Sequence, residues 1–95
     1  MTPLVWTATA VADLEAIHAY VARDSVRYAD ALVDRIVRAV ERIGRFPRSG
    51  SVVPELNNES IRELVHGNYR IVYRLGERRI EVIAVVHGAR LLRFE

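Results

Sequence analysis

The chain has 95 residues, 51 % of them hydrophobic, which is enough for one small domain with its own core and too little for two. With no cysteine, it excludes a disulfide framework and a thiolate metal site. The formal charge is +2, and all 14 basic residues are arginine, so no chemistry can use a lysine as base, acid or nucleophile.

Other exclusions follow from the order of residues. No apolar run approaches the ~20 residues that a membrane span needs. The N-terminus lacks the basic-then-apolar layout of a signal peptide. A cytoplasmic protein without membrane contact is expected, with residues 1–95 forming a single domain. The all-arginine composition has two readings. One is codon usage in a GC-rich genome; the other is the bidentate grip of guanidinium on phosphate and carboxylate.

Leu4 to Trp6 reads as a short first strand. From Thr9 to Arg23 apolar residues fall at Val11, Leu14, Ile17 or His18, and Val21, which is helical spacing. A stronger helix is predicted from Val26 to Gly44. Its stripe is Tyr28, Ala29, Leu32, Val33, Ile36, Val37, Val40 and Ile43. On its outer side Asp34 precedes Arg38 and Glu41 precedes Arg45 by four residues, the favourable order for ion pairs. The short link at Asp24-Ser25 makes the two helices an antiparallel hairpin.

Gly44 and Pro47 end the second helix, and "PRSGSVVPELNNES" follows as the one long irregular stretch, a kind of loop that is often functional. Three strands come after it: Ser60 to His66, Tyr69 to Leu75, and Ile80 to His87. Gly67-Asn68 fits a two-residue hairpin loop, and Gly76-Glu77 with Arg78 makes the next turn. Val82 to Val86 is apolar on both sides, as a central strand requires. The expected class is α+β: a short N-terminal strand, then an antiparallel helical hairpin packed on a mostly antiparallel sheet of three to four strands.

The two-residue loop also sets the register, pairing His66 with Tyr69 and Glu63 with Val72. Leu64, Tyr69, Ile71 and Tyr73 then share the face turned to the helices. Ile61, Glu63, Val65, Arg70, Val72 and Arg74 share the opposite face, which is expected to be partly open, with Glu63 diagonal to both Arg70 and Arg74. Ion pairing on a solvated surface would contribute little there. His87 and Arg90 stand where the last strand leaves the sheet.

No serine or cysteine with an acid and a base suggests a hydrolase triad. His18, His66 and His87 lack metal-ligand spacing, and no glycine loop suits a phosphate. Neither a metal nor a cofactor is expected.

"FPRSGSVVPEL", "IREL", "YRIVY" and "VVHGAR", in this order after a helical hairpin, resemble the RelE/ParE superfamily of bacterial toxins, over nearly the whole chain. The resemblance implies a toxin of a type II toxin–antitoxin system, neutralised by the C-terminal segment of a cognate antitoxin. It also implies one of two targets. RelE-like members enter the ribosomal A site and cut mRNA; ParE-like members poison DNA gyrase.

Arg70 and Arg90 match arginines of the ribosome-dependent nucleases. Ile61 and Glu63 stand where those enzymes carry lysines, and the terminal tyrosine has no counterpart. Cutting RNA with its own 2′-hydroxyl needs a base, an acid and positive charge on the phosphate; a carboxylate at position 63 works against the last. Other nuclease branches use a glutamate, an arginine and a histidine, a set that Glu63, Arg70 and His87 could imitate. The overall style is closer to ParE.

Three readings follow: a gyrase inhibitor acting by binding, a ribosome-dependent endoribonuclease with catalytic Arg70, His87, Arg90 and Glu63, and a non-toxic partner-binding relic. Target or antitoxin contacts are expected at Arg62, Arg70, Arg74, Arg90, Leu91, Leu92 and Arg93, with the Leu91 to Glu95 end linked to gyrase poisoning in ParE-like toxins. For the antitoxin, a free sheet edge and an apolar groove beside the helical hairpin would accept a strand and a helix. Val11, Ile17, Val52, Val53 and Leu92 are candidates for that surface, Val11 and Ile17 being placed in the core by preference. An acidic antitoxin segment is expected to meet the arginines of the open face.

Overall fold

A computed structural model describes residues 2–88. The elements are β1 (Leu4–Trp6), α1 (Ala8–Ala22), α2 (Val26–Arg45), β2 (Ser51–Val52), β3 (Ile61–His66), β4 (Tyr69–Leu75) and β5 (Ile80–His87). They build one five-stranded sheet in the order β1-β5-β4-β3-β2, with β1 parallel to β5 and the other pairings antiparallel. The expected count of three to four strands is one short. The missing strand, β2, has two residues inside the loop, held by pairing Ser51 with Glu63 and Val52 with Arg62. Two residues carry no periodicity from which a strand could be read.

Each helix begins on a capping hydroxyl. Ser25 accepts the Tyr28 amide at 3.1 Å at the start of α2. Thr7 does the same for Ala10 at 3.2 Å, and its hydroxyl also donates to the Val82 carbonyl at 2.9 Å. One side chain thus starts α1 and fastens it to β5. A second tie follows a turn and a half later, where the Asp13 carboxylate accepts the Val85 amide at 3.0 Å.

The sheet has a core on each face. On the helix side, Leu32, Ile36, Val40 and Ile43 of α2 meet Ile71, Tyr73, Ile80, Val82 and Val85. Burial of each large apolar side chain contributes about 1.5–3 kcal/mol, so this face dominates stability. β5 alternates imperfectly because of a bulge: Val72 faces Ala84 while Tyr73 faces Val82. Without the extra residue, Ile83, Val82 and Val85 would point to opposite sides. The hairpin register is the expected one, from His66–Tyr69 to Arg62–Tyr73.

The second core lies on the face expected to be partly open. Val53 of the loop is fully buried against Val72, Ala84 and Val86, with Leu56, Ile61 and Ile83 around them. A long loop carrying Val52, Val53 and Leu56 must place them out of water, and this sheet face is where they go. Tyr73 anchors the approach to it: its hydroxyl accepts the Gly50 amide at 3.0 Å and donates to the Pro47 carbonyl at 2.8 Å. Position 50 has no room for more than glycine, since an added Cβ would lie 2.4 Å from the Glu63 carbonyl oxygen. Tyr73→Phe, which removes both bonds from a buried site, is expected to cost about 1–3 kcal/mol in urea denaturation while leaving the sheet intact by circular dichroism.

Candidate functional site

Arg70 is on β4 opposite Val65 of β3 and Val86 of β5, pointing to the loop-covered face. Only 7 % of it is exposed. Its Nε donates to Glu63 of β3. Its two terminal nitrogens grip both oxygens of Glu55, at 2.7 and 2.8 Å, in the fork-to-fork geometry that guanidinium also uses on phosphate. Hydrogen bonding to Glu55, with a further contribution from Glu63, outweighs the desolvation and holds Arg70 above its ordinary pKa. The guanidinium is therefore a permanent cation inside a carboxylate cage.

This overturns the picture of a solvated ion pair on an open surface. The side chains of Glu55 and Glu63 are only 20 % and 13 % exposed, so the pairs sit in a region of low dielectric, where their geometry matters. Glu55 had no assigned role in the sequence beyond belonging to "VPEL". Its signal was the pair of apolar neighbours, Val53 and Leu56, which drive the loop onto the sheet and carry the carboxylate with them.

The other candidates scatter. His87 pairs with Tyr69, edge to face with ring centroids 6.0 Å apart, on the helix side of the sheet. Strand alternation puts it on the opposite face from Arg70, so Glu63, Arg70 and His87 do not form one catalytic set. Arg62 donates to the backbone carbonyls of Gly50 and Glu59, at 2.9 and 3.2 Å, and serves the loop. Arg74 does not reach Glu63 as expected; it lies 3.6 Å from Glu81, its neighbour across β5. Arg90, Leu91, Leu92, Arg93 and the end at Glu95 lie outside the described residues. Among the described residues, no cluster of histidine and carboxylate could hold a metal ion.

The other notable surface is on the helical hairpin. α1 is apolar almost all round, and Trp6, Val11, Leu14, Val33 and Val37 line a groove of about 580 Å³ with Glu15 and His18 at its rim. His18 closes one side by meeting Asp30 of α2 at 2.7 Å. Val11, placed in the core by the sequence, is 43 % exposed in this groove, whereas Ile17 does pack on the core. Val53 belongs to the second core and offers no docking surface. No helix is long and apolar enough to cross a membrane among the described residues.

Arg70→Ala would leave two carboxylates half-buried without their shared cation. A loss of about 3–5 kcal/mol is expected, read as a lower midpoint in chemical denaturation, and Arg70→Lys is expected to recover only part of it.

The comparisons agree with this architecture. Residues 4–92 match the family model described as ParE toxin of type II toxin-antitoxin system, parDE. The chain is 32 % identical over 92 residues to Toxin RelE2 of Caulobacter vibrioides, covering 96 % of this chain and 100 % of that protein. It is 36 % identical over 85 residues to Putative toxin Y4kP of Sinorhizobium fredii, covering 87 % and 84 %. A solved structure titled "Chromosomal ParDE TA system from P. aeruginosa" superposes with a TM-score of 0.75 at 26 % identity, covering 92 % of this chain and 96 % of that one. With its helical hairpin on an α+β sheet, the chain belongs to the ParE family of type II toxin–antitoxin toxins, within the RelE/ParE superfamily.

Proposed function

We propose that this toxin arrests growth in the cytoplasm by binding DNA gyrase and trapping it on cleaved DNA, without a reaction of its own, and that a cognate antitoxin neutralises it. The observation that carries the first half is the carboxylate cage around Arg70. A ribonuclease of this superfamily would need that arginine facing the scissile phosphate. Here Glu55 holds the positions a phosphate would take, and Val53 fills the sheet face beneath it. Displacing Glu55 with RNA would exchange an intramolecular carboxylate for an intermolecular phosphate and also uncover the second core. His87, the remaining candidate base, is on the wrong face.

A target-binding toxin requires no such opening. Its action depends on surface complementarity, which a rigid two-core sheet can supply. The neutralising partner has its own evidence. The groove of Trp6, Val11, Leu14, Val33 and Val37 is apolar, of about 580 Å³, and of the kind that takes one face of an amphipathic helix. The solved relative is titled as a ParDE system, which supports a paired antitoxin for this chain too. Because Arg70 is occupied by Glu55 and Glu63, the antitoxin is assigned to this apolar groove and not to the arginines of the sheet.

With purified protein, a gyrase assay is expected to show loss of supercoiling and accumulation of cleaved DNA, both reversed by the antitoxin encoded beside it. Cleavage of mRNA in a translating extract, with gyrase unaffected, would replace this reading with the nuclease one. Val11→Asp is expected to weaken antitoxin binding at least tenfold in calorimetry while gyrase trapping persists. Unchanged affinity would move the antitoxin to another surface.

A further inference from the structure

The formal charge of +2 hides an uneven distribution. The end of α2, the start of β1, the turn joining β4 to β5 and the start of β3 meet at one end of the molecule. Backbone bonds define this junction: Thr2 donates to Gly44, Ile80 to Pro3, and Leu75 to Ser60. Six exposed arginines gather there, Arg42, Arg45, Arg48, Arg74, Arg78 and Arg79. The acids at this end are the exposed Glu41, Glu59 and Glu77, with Glu81 half-buried between strands.

Local duties account for some of these cations. Arg42 and Arg45 lie in the last turn of α2 and complement its dipole. Arg74 and Arg79 both lie 3.6 Å from Glu81, too long for strong pairing, and share its one charge. Arg48 and Arg78 have neither duty: no ion pair forms at either among the described residues, and both are exposed. Phe46, which lies between Arg45 and Arg48 in the chain, is 63 % exposed. The opposite end differs: at the turn of the helical hairpin, Arg23 and Arg27 are equalled in number by Asp24 and Asp30, the latter also meeting His18.

We infer that this arginine-rich end is a contact surface for the phosphate backbone of duplex DNA. Guanidinium is suited to it, being planar, permanently charged and able to give two parallel N–H bonds to one phosphate. The surface reads no base; it supplies sequence-independent attraction and sets which end of the toxin faces the duplex. Its physiological setting rests on the gyrase reading, in which toxin and DNA are brought together on the enzyme.

The test is fluorescence anisotropy of a labelled 20-base-pair duplex of arbitrary sequence with the purified toxin. Neutralising about four phosphates predicts that affinity falls on the order of a hundredfold between 50 and 200 mM salt. In Arg48→Gln/Arg78→Gln, two fewer contacts reduce the fall to about tenfold. Arg23→Gln/Arg27→Gln, at the other end, is expected to leave it unchanged, and thermal melting verifies that each variant is folded. No binding at low salt overturns the inference, as does a salt dependence equal in wild type and Arg48→Gln/Arg78→Gln. Running the gyrase assay on the same proteins separates the two ideas. DNA binding that depends on this end, without any gyrase trapping, removes only the gyrase reading. Gyrase trapping without salt-sensitive DNA binding removes only this inference.

Discussion

The guanidinium of Arg70 is where the sheet and its longest loop become one object. A charge with so little contact with water is tolerable only if its hydrogen-bonding capacity is met, and here Glu63 on the adjacent strand and Glu55 in the loop both contribute to it. The arrangement is selective as well as cohesive. A hydrophobic plug alone would let the loop slide over the sheet; a bidentate carboxylate fixes both its distance and its orientation. The pairing of Ser51 and Val52 with β3, the close approach of Gly50 to Glu63, and the burial of Val53 are all compatible with that one placement.

Two consequences for function follow from the same geometry. The sheet face that carries Arg70 is built over by the loop, which supports the proposed reading in which the chain acts on a target from its outside. That outside has two distinct characters. The groove lined by Trp6, Val11, Leu14, Val33 and Val37 offers apolar surface with few charges, and the end near residues 42–48 and 74–79 offers guanidinium groups. On the proposed reading, in which one surface meets the antitoxin and the other the target, the two being chemically unlike keeps either partner from competing well for the other's site.

Much of the fold was legible because its signals are local. The Gly67-Asn68 turn fixed the β3–β4 register residue by residue, and the apolar run of β5 identified it as central. The stripe on α2 named most of its buried residues, although Tyr28 proved exposed and Val33 and Val37 line the groove. What escaped was non-local. The two-residue β2 exists only because β3 is beside it. The bulge at Ile83 has no glycine to announce it. The partner of Arg70 lies in a loop, where alternation gives no face and therefore no neighbour. Glu63 and Arg70 were paired correctly from register, but register alone misassigned Arg74, because Glu81 on the other flanking strand was closer. His87 was one residue away from sharing a face with Arg70, and in a strand one residue is the difference between the two sides.

The parallel pairing of β1 with β5 has a bearing on how the molecule comes into being. Residues 4–6 are made early, yet their strand partners are residues 80–82. β5 is also the strand on which α1 is fastened through Thr7 and Asp13. The described strand that leaves the ribosome last is thus the one that β1 and α1 wait for. Until it emerges, α1 lacks the strand it is fastened to and the first strand has no neighbour, and the high separation of these contacts along the chain makes their closure late. A chain interrupted before residue 80 would keep both hairpins and lose the strand that joins β1 and α1 to the rest of the sheet.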